Sequence, residues 1–216
     1  MTIPNLRDVY RQPVKGNFET DDYCFFWAGP FSNWHPSKFT ALGTTYNCAE
    51  QGMMHQKALL FGDLESADLI MKTDDPKLQK ALGRGVKGYV EAEWVDKRYD
   101  IVYALLYAKF DQNIELADIL LDTEDLHIVE ASPYDKVWGI AMGVDKYPEI
   151  LDTKNWKGEN LLGSILMDVR YDFKQIQFYE NEEEEIDPET QFRIDAGKSI
   201  ENAIAYMNTG RRYCCR

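Results

Sequence analysis

Residues 46–62 read YNCAEQGMMHQKALLFG, and the interpretation of the chain starts there. Asn47 is a natural helix N-cap. Glu50, three residues on, has the spacing of a capping box, in which cap and acid each satisfy an otherwise orphaned backbone N–H. Glu50, Met53, Met54, Lys57 and Phe61 then recur at helical spacing, and Gly62 ends the run. The stretch therefore predicts an amphipathic helix carrying one carboxylate and one amine. Glu50 and Lys57 are two turns apart, so they leave one face about 10 Å apart along the axis. Beside Met53 and Met54 the pair is expected to be partly buried, and such burial shifts pKa values in ways that general acid–base chemistry uses. A plainer reading stands beside this one: Glu50 only closes the capping box and Lys57 only reaches solvent.

Working outward, the aromatic run from Asp22 to Trp27 reads as a strand. A polar and aromatic loop follows, Phe31-Ser32-Asn33-Trp34-His35-Pro36, and Phe39 to Tyr46, broken by Gly43, suits a short hairpin. Asp74-Asp75-Pro76 opens a helix, with Pro76 in its first turn and Gly83 at its exit. The longest predicted helix runs from about Trp94 to Phe110, with Tyr99, Val102, Tyr103, Leu106 and Phe110 on its apolar face. A shorter helix, Ile114 to Leu121, leads into a strand from His127 to Ala131, and Asn160 to Phe173 is helical again. The pattern is that of an α+β protein, mostly helical with a small β-sheet, plus a C-terminal helical appendage. Its expected organisation is an N-terminal lead (1–21), a domain (22–175), an acidic linker (176–188) and a C-terminal amphipathic helix and tail (189–216). That last helix carries Phe192, Ala196, Ile200, Ala203, Ile204 and Met207 on one face. It would pack on the domain or join two copies into a homo-oligomer.

Of the 216 residues, 44% are hydrophobic, enough for a real core. No stretch approaches the roughly 20 apolar residues that span a bilayer, and the N-terminus lacks the apolar segment of an export signal. The four cysteines include no CxxC pair or zinc-ligand spacing, so a reducing cytoplasm is the expected setting. The net charge of −13 excludes a global basic footprint for nucleic acid. Seven of those charges fall between Glu180 and Glu189, which leaves room for a local positive pocket for phosphates.

Two further places hold chemistry-bearing groups. Gly83-Arg84-Gly85 follows a helix and so is no phosphate-cradling loop, yet Arg84 can pair bidentately with a phosphate; a C-cap glycine beside an exposed arginine is an equal reading. Val129 to Gly139 reads VEASPYDKVWG, a strand ending in a Pro-containing turn. There Trp138 can stack a base and Asp135 can hold a ribose hydroxyl, or they are a core tryptophan and a turn aspartate. GxSxG and HExxH are absent, and three histidines argue against a His triad or metal cage.

In order along the chain, seven stretches resemble the YbiA-like or NADAR family, named for its association with NAD and ADP-ribose. They are FSNWHPSKF (31–39), YNCAEQGMMHQKALLFGD (46–63), LGR (82–84), Trp94 with Arg98, AKFDQN (108–113), VEASPYDKVWG (129–139) and NLLGSILMDVR (160–170). The family loop usually reads closer to LSNF, so Phe31 and Trp34 are aromatic variants. The usual WGIG is Trp138-Gly139-Ile140-Ala141 here. The resemblance implies N-glycosidase activity without metal or redox cofactor, on a phosphoribosylated riboflavin-pathway intermediate or on ADP-ribosylated guanine in nucleic acid. It implies that Glu50 activates water or stabilises charge at C1′. Lys57 would be either a nucleophile, forming a Schiff base with the opened ribose, or an electrostatic partner. Asp135 would hold ribose hydroxyls or assist as a base, and Asn33, Trp34, Arg84, Trp94 and Trp138 would line the pocket. A module that binds ADP-ribose or NAD without turnover is the alternative.

Overall fold

The computed structural model describes residues 17–182 together with 188, 191 and 195. The expected N-terminal lead, acidic linker and C-terminal amphipathic helix lie in whole or in part outside these residues. Five short strands are described: β1 (Phe18–Glu19), β2 (Tyr23–Phe26), β3 (Phe39–Ala41), β4 (Thr44–Tyr46) and β5 (His127–Glu130). The helices are α1 (Ala49–Leu60), α2 (Leu64–Met71), α3 (Pro76–Arg84), α4 (Glu91–Asp111), α5 (Ile114–Leu121) and α6 (Leu161–Glu182). The protein is α+β, mostly helical with a small sheet, as the pattern of the sequence implies.

The described residues form two compact units, one of residues up to 32 with 115–171, the other of 33–114 with 172 onward. In the first, β2 pairs antiparallel with β1 and parallel with β5, in the order β1-β2-β5. Phe25, Val129, Ala131, Ile140 and Ile150 are buried on this sheet, flanked by Tyr23, Met142 and Trp156. The loop after β5 is fixed by the start of α6. Leu161 N–H donates to the Val137 carbonyl at 3.1 Å and Leu162 N–H to that of Trp138 at 3.0 Å, so the loop takes up N–H groups that the helix cannot satisfy itself. Asn160 spans to β5, its amide donating to the Ile128 carbonyl and its oxygen accepting from Glu130 N–H, both at 2.9 Å.

In the second unit, β3 and β4 form the expected hairpin, with Phe39 opposite Tyr46. α1, α2 and α3 pack on one another, and α1 also packs on α4. The close approach of α1 to α4 depends on Gly52, where a Cβ would stand 2.6 Å from Leu105 Cδ2. Three expectations about the helices change. α2 escaped the periodicity reading altogether: only Ala67 and Ile70 are buried in it, too short an apolar stripe to register. α3 ends at Arg84 with Gly85 as C-cap, so Gly83 is inside the helix rather than at its exit. α6 runs nine residues beyond Phe173 and, at 22 residues, is the longest described helix, one residue longer than α4. Among the described residues, no helix is long and apolar enough to cross a membrane.

Candidate functional site

The geometry of α1 settles what Glu50 does locally. Cys48, not Asn47, is the N-cap, which places Gln51 at the third helical position. Gln51 Oε1 accepts from Asn47 N–H at 2.9 Å, the reach-back that the capping-box reading assigned to Glu50. The side chain of Asn47 is turned elsewhere, donating to Asp74 at 2.7 Å and accepting from Gln79 at 3.2 Å. Glu50 therefore does not close a capping box. Its carboxyl is 1% exposed, in a first turn that also buries Ala49, Gln51, Met53 and Met54. A carboxylate near a helix N-terminus is favoured by the helix dipole, but burial this deep exceeds what that favour requires.

Asn33 meets the same turn. Its carbonyl accepts from Glu50 N–H at 2.8 Å, satisfying one orphan donor of α1. Its side chain is 6% exposed, and Oδ1 is buried without a hydrogen-bond partner among the described residues. Buried polar atoms are nearly always paired, so such an acceptor marks a place where a donor can dock. Trp34, next in sequence, is 42% exposed, with Lys80 Nζ 6.0 Å from its ring.

Two turns along α1, Lys57 is half-buried rather than free in solvent. Its Nζ donates to the Gly83 carbonyl at 3.0 Å and lies 4.1 Å from the ring centre of Tyr89 and 5.7 Å from that of Trp94. Gly83 is required for this: a Cβ there would stand 2.0 Å from Met54 Sδ, so only glycine brings α3 this close to α1. Burial pulls the Lys57 pKa below the ordinary lysine value, with Arg84 acting in the same direction and Glu91 in the opposite one. Aromatic faces favour the cation by about 0.5–2 kcal/mol each. The amine is thus held in place and still able to lose its proton. Trp94 is 7% exposed and Arg84 is exposed at the end of α3. Tyr89, which packs edge-on to Phe61 and whose hydroxyl donates to Glu91 at 2.5 Å, was missed from the sequence. It lies in a loop between helices with no periodicity to single it out.

Asp135 and Trp138 belong to the first unit. Asp135 Oδ1 accepts from Val137 N–H at 3.0 Å and Trp138 N–H at 2.8 Å, so the carboxylate builds its own turn whatever else it does. Trp138 is partly buried. In the second unit Asn33 meets Glu50 at the head of α1, and Arg84 and Trp94 lie near Lys57 two turns along it. Among the described residues there is no group of three or more His, Cys, Asp or Glu disposed to hold a metal.

A search of family models matches the NADAR domain to residues 25–174. The chain is 39% identical over 170 residues to N-glycosidase R617 of Acanthamoeba polyphaga mimivirus, covering 73% of this chain and 99% of that one. It is 29% identical over 168 residues to riboflavin biosynthesis protein VVA0006 of Vibrio vulnificus, covering 78% of this chain and 40% of the relative. N-glycosidase YbiA of Escherichia coli is 28% identical over 166 residues, 76% of this chain and 91% of YbiA. The NMR structure of E. coli YbiA aligns with a TM-score of 0.61 at 25% identity, covering 76% of this chain and 92% of that one. A match spanning most of the chain, with a fold in agreement, is sufficient: this chain belongs to the NADAR domain family.

Proposed function

We propose that this chain cleaves the C1′–N bond of a ribosylated substrate. It is a hydrolase acting on N-glycosyl bonds, in keeping with its relatives R617 and YbiA, which are named N-glycosidases. The observation that carries the reading is the pairing on one helix of a deeply buried carboxyl, Glu50, with a caged amine, Lys57. Breaking a ribosyl–nitrogen bond passes through an oxocarbenium-like state, and a carboxylate in a site of low dielectric stabilises that charge far more than one in water. In this reading the C1′–N bond breaks and its electron pair leaves with the base, whose nitrogen then takes a proton. Glu50 faces the positive charge at C1′ and accepts the proton of the attacking group.

Lys57 acts as the nucleophile. Its lowered pKa raises the neutral fraction of the amine, which forms a bond to C1′ as the base departs. Opening of the ring puts a proton on the ribose oxygen and leaves an iminium, a cation that the rings of Tyr89 and Trp94 suit. Water adds to it, releasing the free sugar and restoring Lys57. Asn33 Oδ1 accepts from a ribose hydroxyl, Trp34 offers a ring to the base, and Arg84 pairs with a phosphate. For Asp135 the family resemblance implies a hold on a ribose hydroxyl.

Two substrates share this bond: a phosphoribosylated riboflavin-pathway intermediate and ADP-ribosylated guanine in nucleic acid. The name of VVA0006 supports the first, and so does a net charge of −13, which gives no steering toward a polyanion. Incubating the protein with each substrate and resolving the products by chromatography tests this. Free base is expected from the small molecule; base released from the nucleic acid alone would overturn that assignment.

A further inference from the structure

Lys109, on α4, is 0% exposed. Lysine is almost never buried to this degree without a counter-charge, because a desolvated ammonium is strongly disfavoured. Its surroundings follow from the crossing of two helices. α1 and α4 meet where Gly52 faces Leu105. Lys109 is one turn beyond Leu105 on the same face of α4, and Cys48 is one turn before Gly52 at the head of α1. The thiol of Cys48 feels the charges of both Glu50 and Lys109, and Lys109 feels Cys48 in return. The crossing therefore carries Lys109 toward the first turn of α1 and away from its Lys57 end. Of the carboxylates described as buried in this unit, Asp63 already serves Ser66 and the Lys87 N–H, and Asp172 accepts from the Tyr103 hydroxyl. Glu50 is the one at the head of α1.

We infer that Lys109 is the buried counter-group of Glu50, a positioning residue that fixes both the place and the protonation of that carboxyl. Ionisable groups that feel the charge of Lys109 include His35 from the loop before β3 and Cys48 at the head of α1, while the Tyr46 hydroxyl of β4 is occupied by His55 and Gln56. β3 itself contributes none, and Asp172 of α6 is engaged by Tyr103. Burial brings the Lys109 amine down to about 7. The catalytic part of this inference rests on Glu50 being the carboxyl that faces C1′.

Lys109→Met keeps the length of the side chain and removes the amine. Loss of a neighbouring positive charge raises a carboxyl pKa by about 1–3 units. The limb of the kcat–pH profile that reports Glu50 is expected to move up by at least about one pH unit, while KM stays unchanged. An unshifted limb overturns the inference. A second measurement needs no substrate, and so separates this inference from the N-glycosidase reading: the unfolding midpoints of Glu50→Gln, Lys109→Met and the double variant. A paired carboxyl and amine give a double variant that loses less than the sum of the two single losses, or that folds where Lys109→Met alone does not. Losses that simply add overturn the pairing.

Discussion

The ε-amine of Lys57 donates to the carbonyl oxygen of Gly83 at 3.0 Å, and this contact joins the chemistry of α1 to the end of α3. The Gly83 carbonyl is among the last four of α3, which have no partner within the helix. Lys57 thus caps the negative end of the α3 dipole while being held toward the rings of Tyr89 and Trp94. Gly83→Ala would push its Cβ against Met54, 2.0 Å from Sδ and 2.9 Å from Cβ, where a flexible tip cannot simply swing away. Overpacking of this kind costs about 1–3 kcal/mol. Urea unfolding should show that loss, and turnover by the fraction that remains folded should drop as well, because the carbonyl that orients Lys57 moves.

Lys57→Arg separates the nucleophile from the electrostatic partner. Arginine keeps a cation among the aromatic rings but stays protonated and cannot form the imine. Loss of activity by more than about a hundredfold with substrate binding retained is expected, together with a covalent sugar adduct on the wild type after borohydride reduction. An active Lys57→Arg, or no adduct, would leave Lys57 as a fixed charge.

Asp135 offers a contrast, because Asn retains the Oδ1 that accepts from Val137 and Trp138. Asp135→Asn should fold normally and raise KM by about tenfold, one charged hydrogen bond of about 1.5–3 kcal/mol being weakened. Asp135→Ala should lose stability as well. Equal KM for Asn and wild type would confine Asp135 to building its turn.

Much of this was legible in the sequence, for identifiable reasons. The spacing of Glu50, Met53, Met54 and Lys57 marked a helix carrying both groups, and Glu50, Met53 and Met54 are buried with Lys57 half-buried, although the first turns are buried all round rather than on that face alone. The capping role given to Glu50 failed because the helix begins one residue later than Asn47 implies, handing the reach-back to Gln51. Gly83 read as a helix exit since glycine is common there; its actual task, closeness to Met54, depends on a residue 29 positions away and leaves no local pattern. Tyr89 and Lys109 were overlooked for the same reason. A lysine inside the apolar run of α4 looks like a solvated residue until the crossing with α1 is known.

Acid should weaken the fold in two stages. Burial holds His35, His55 and His127 below the ordinary value of 6.5, so the unfolded chain binds protons more readily than the native one. The native state is accordingly favoured above pH 6.5, and stability falls as pH drops below it. Asp63 is held down at about 2 by the Lys87 N–H, then by Ser66, against 3.8 ordinarily; its contribution is present above 3.8 and is lost as pH falls toward 2. Unfolding free energy measured against pH should decline first below 6.5 and again below 4, and Asp63→Asn should flatten the second decline only.

The most direct test of the central claim is release of free base from a ribosylated substrate by wild type and by Glu50→Gln, which keeps shape and removes charge. The wild type is expected to release base from the phosphoribosylated pyrimidine or from ADP-ribosyl-guanine in DNA, and the variant to lose at least about a hundredfold in kcat, as removal of one stabilising group costs elsewhere. Equal release by Glu50→Gln would contradict the account. No release from either substrate, with ADP-ribose still bound, would make the chain a binding module.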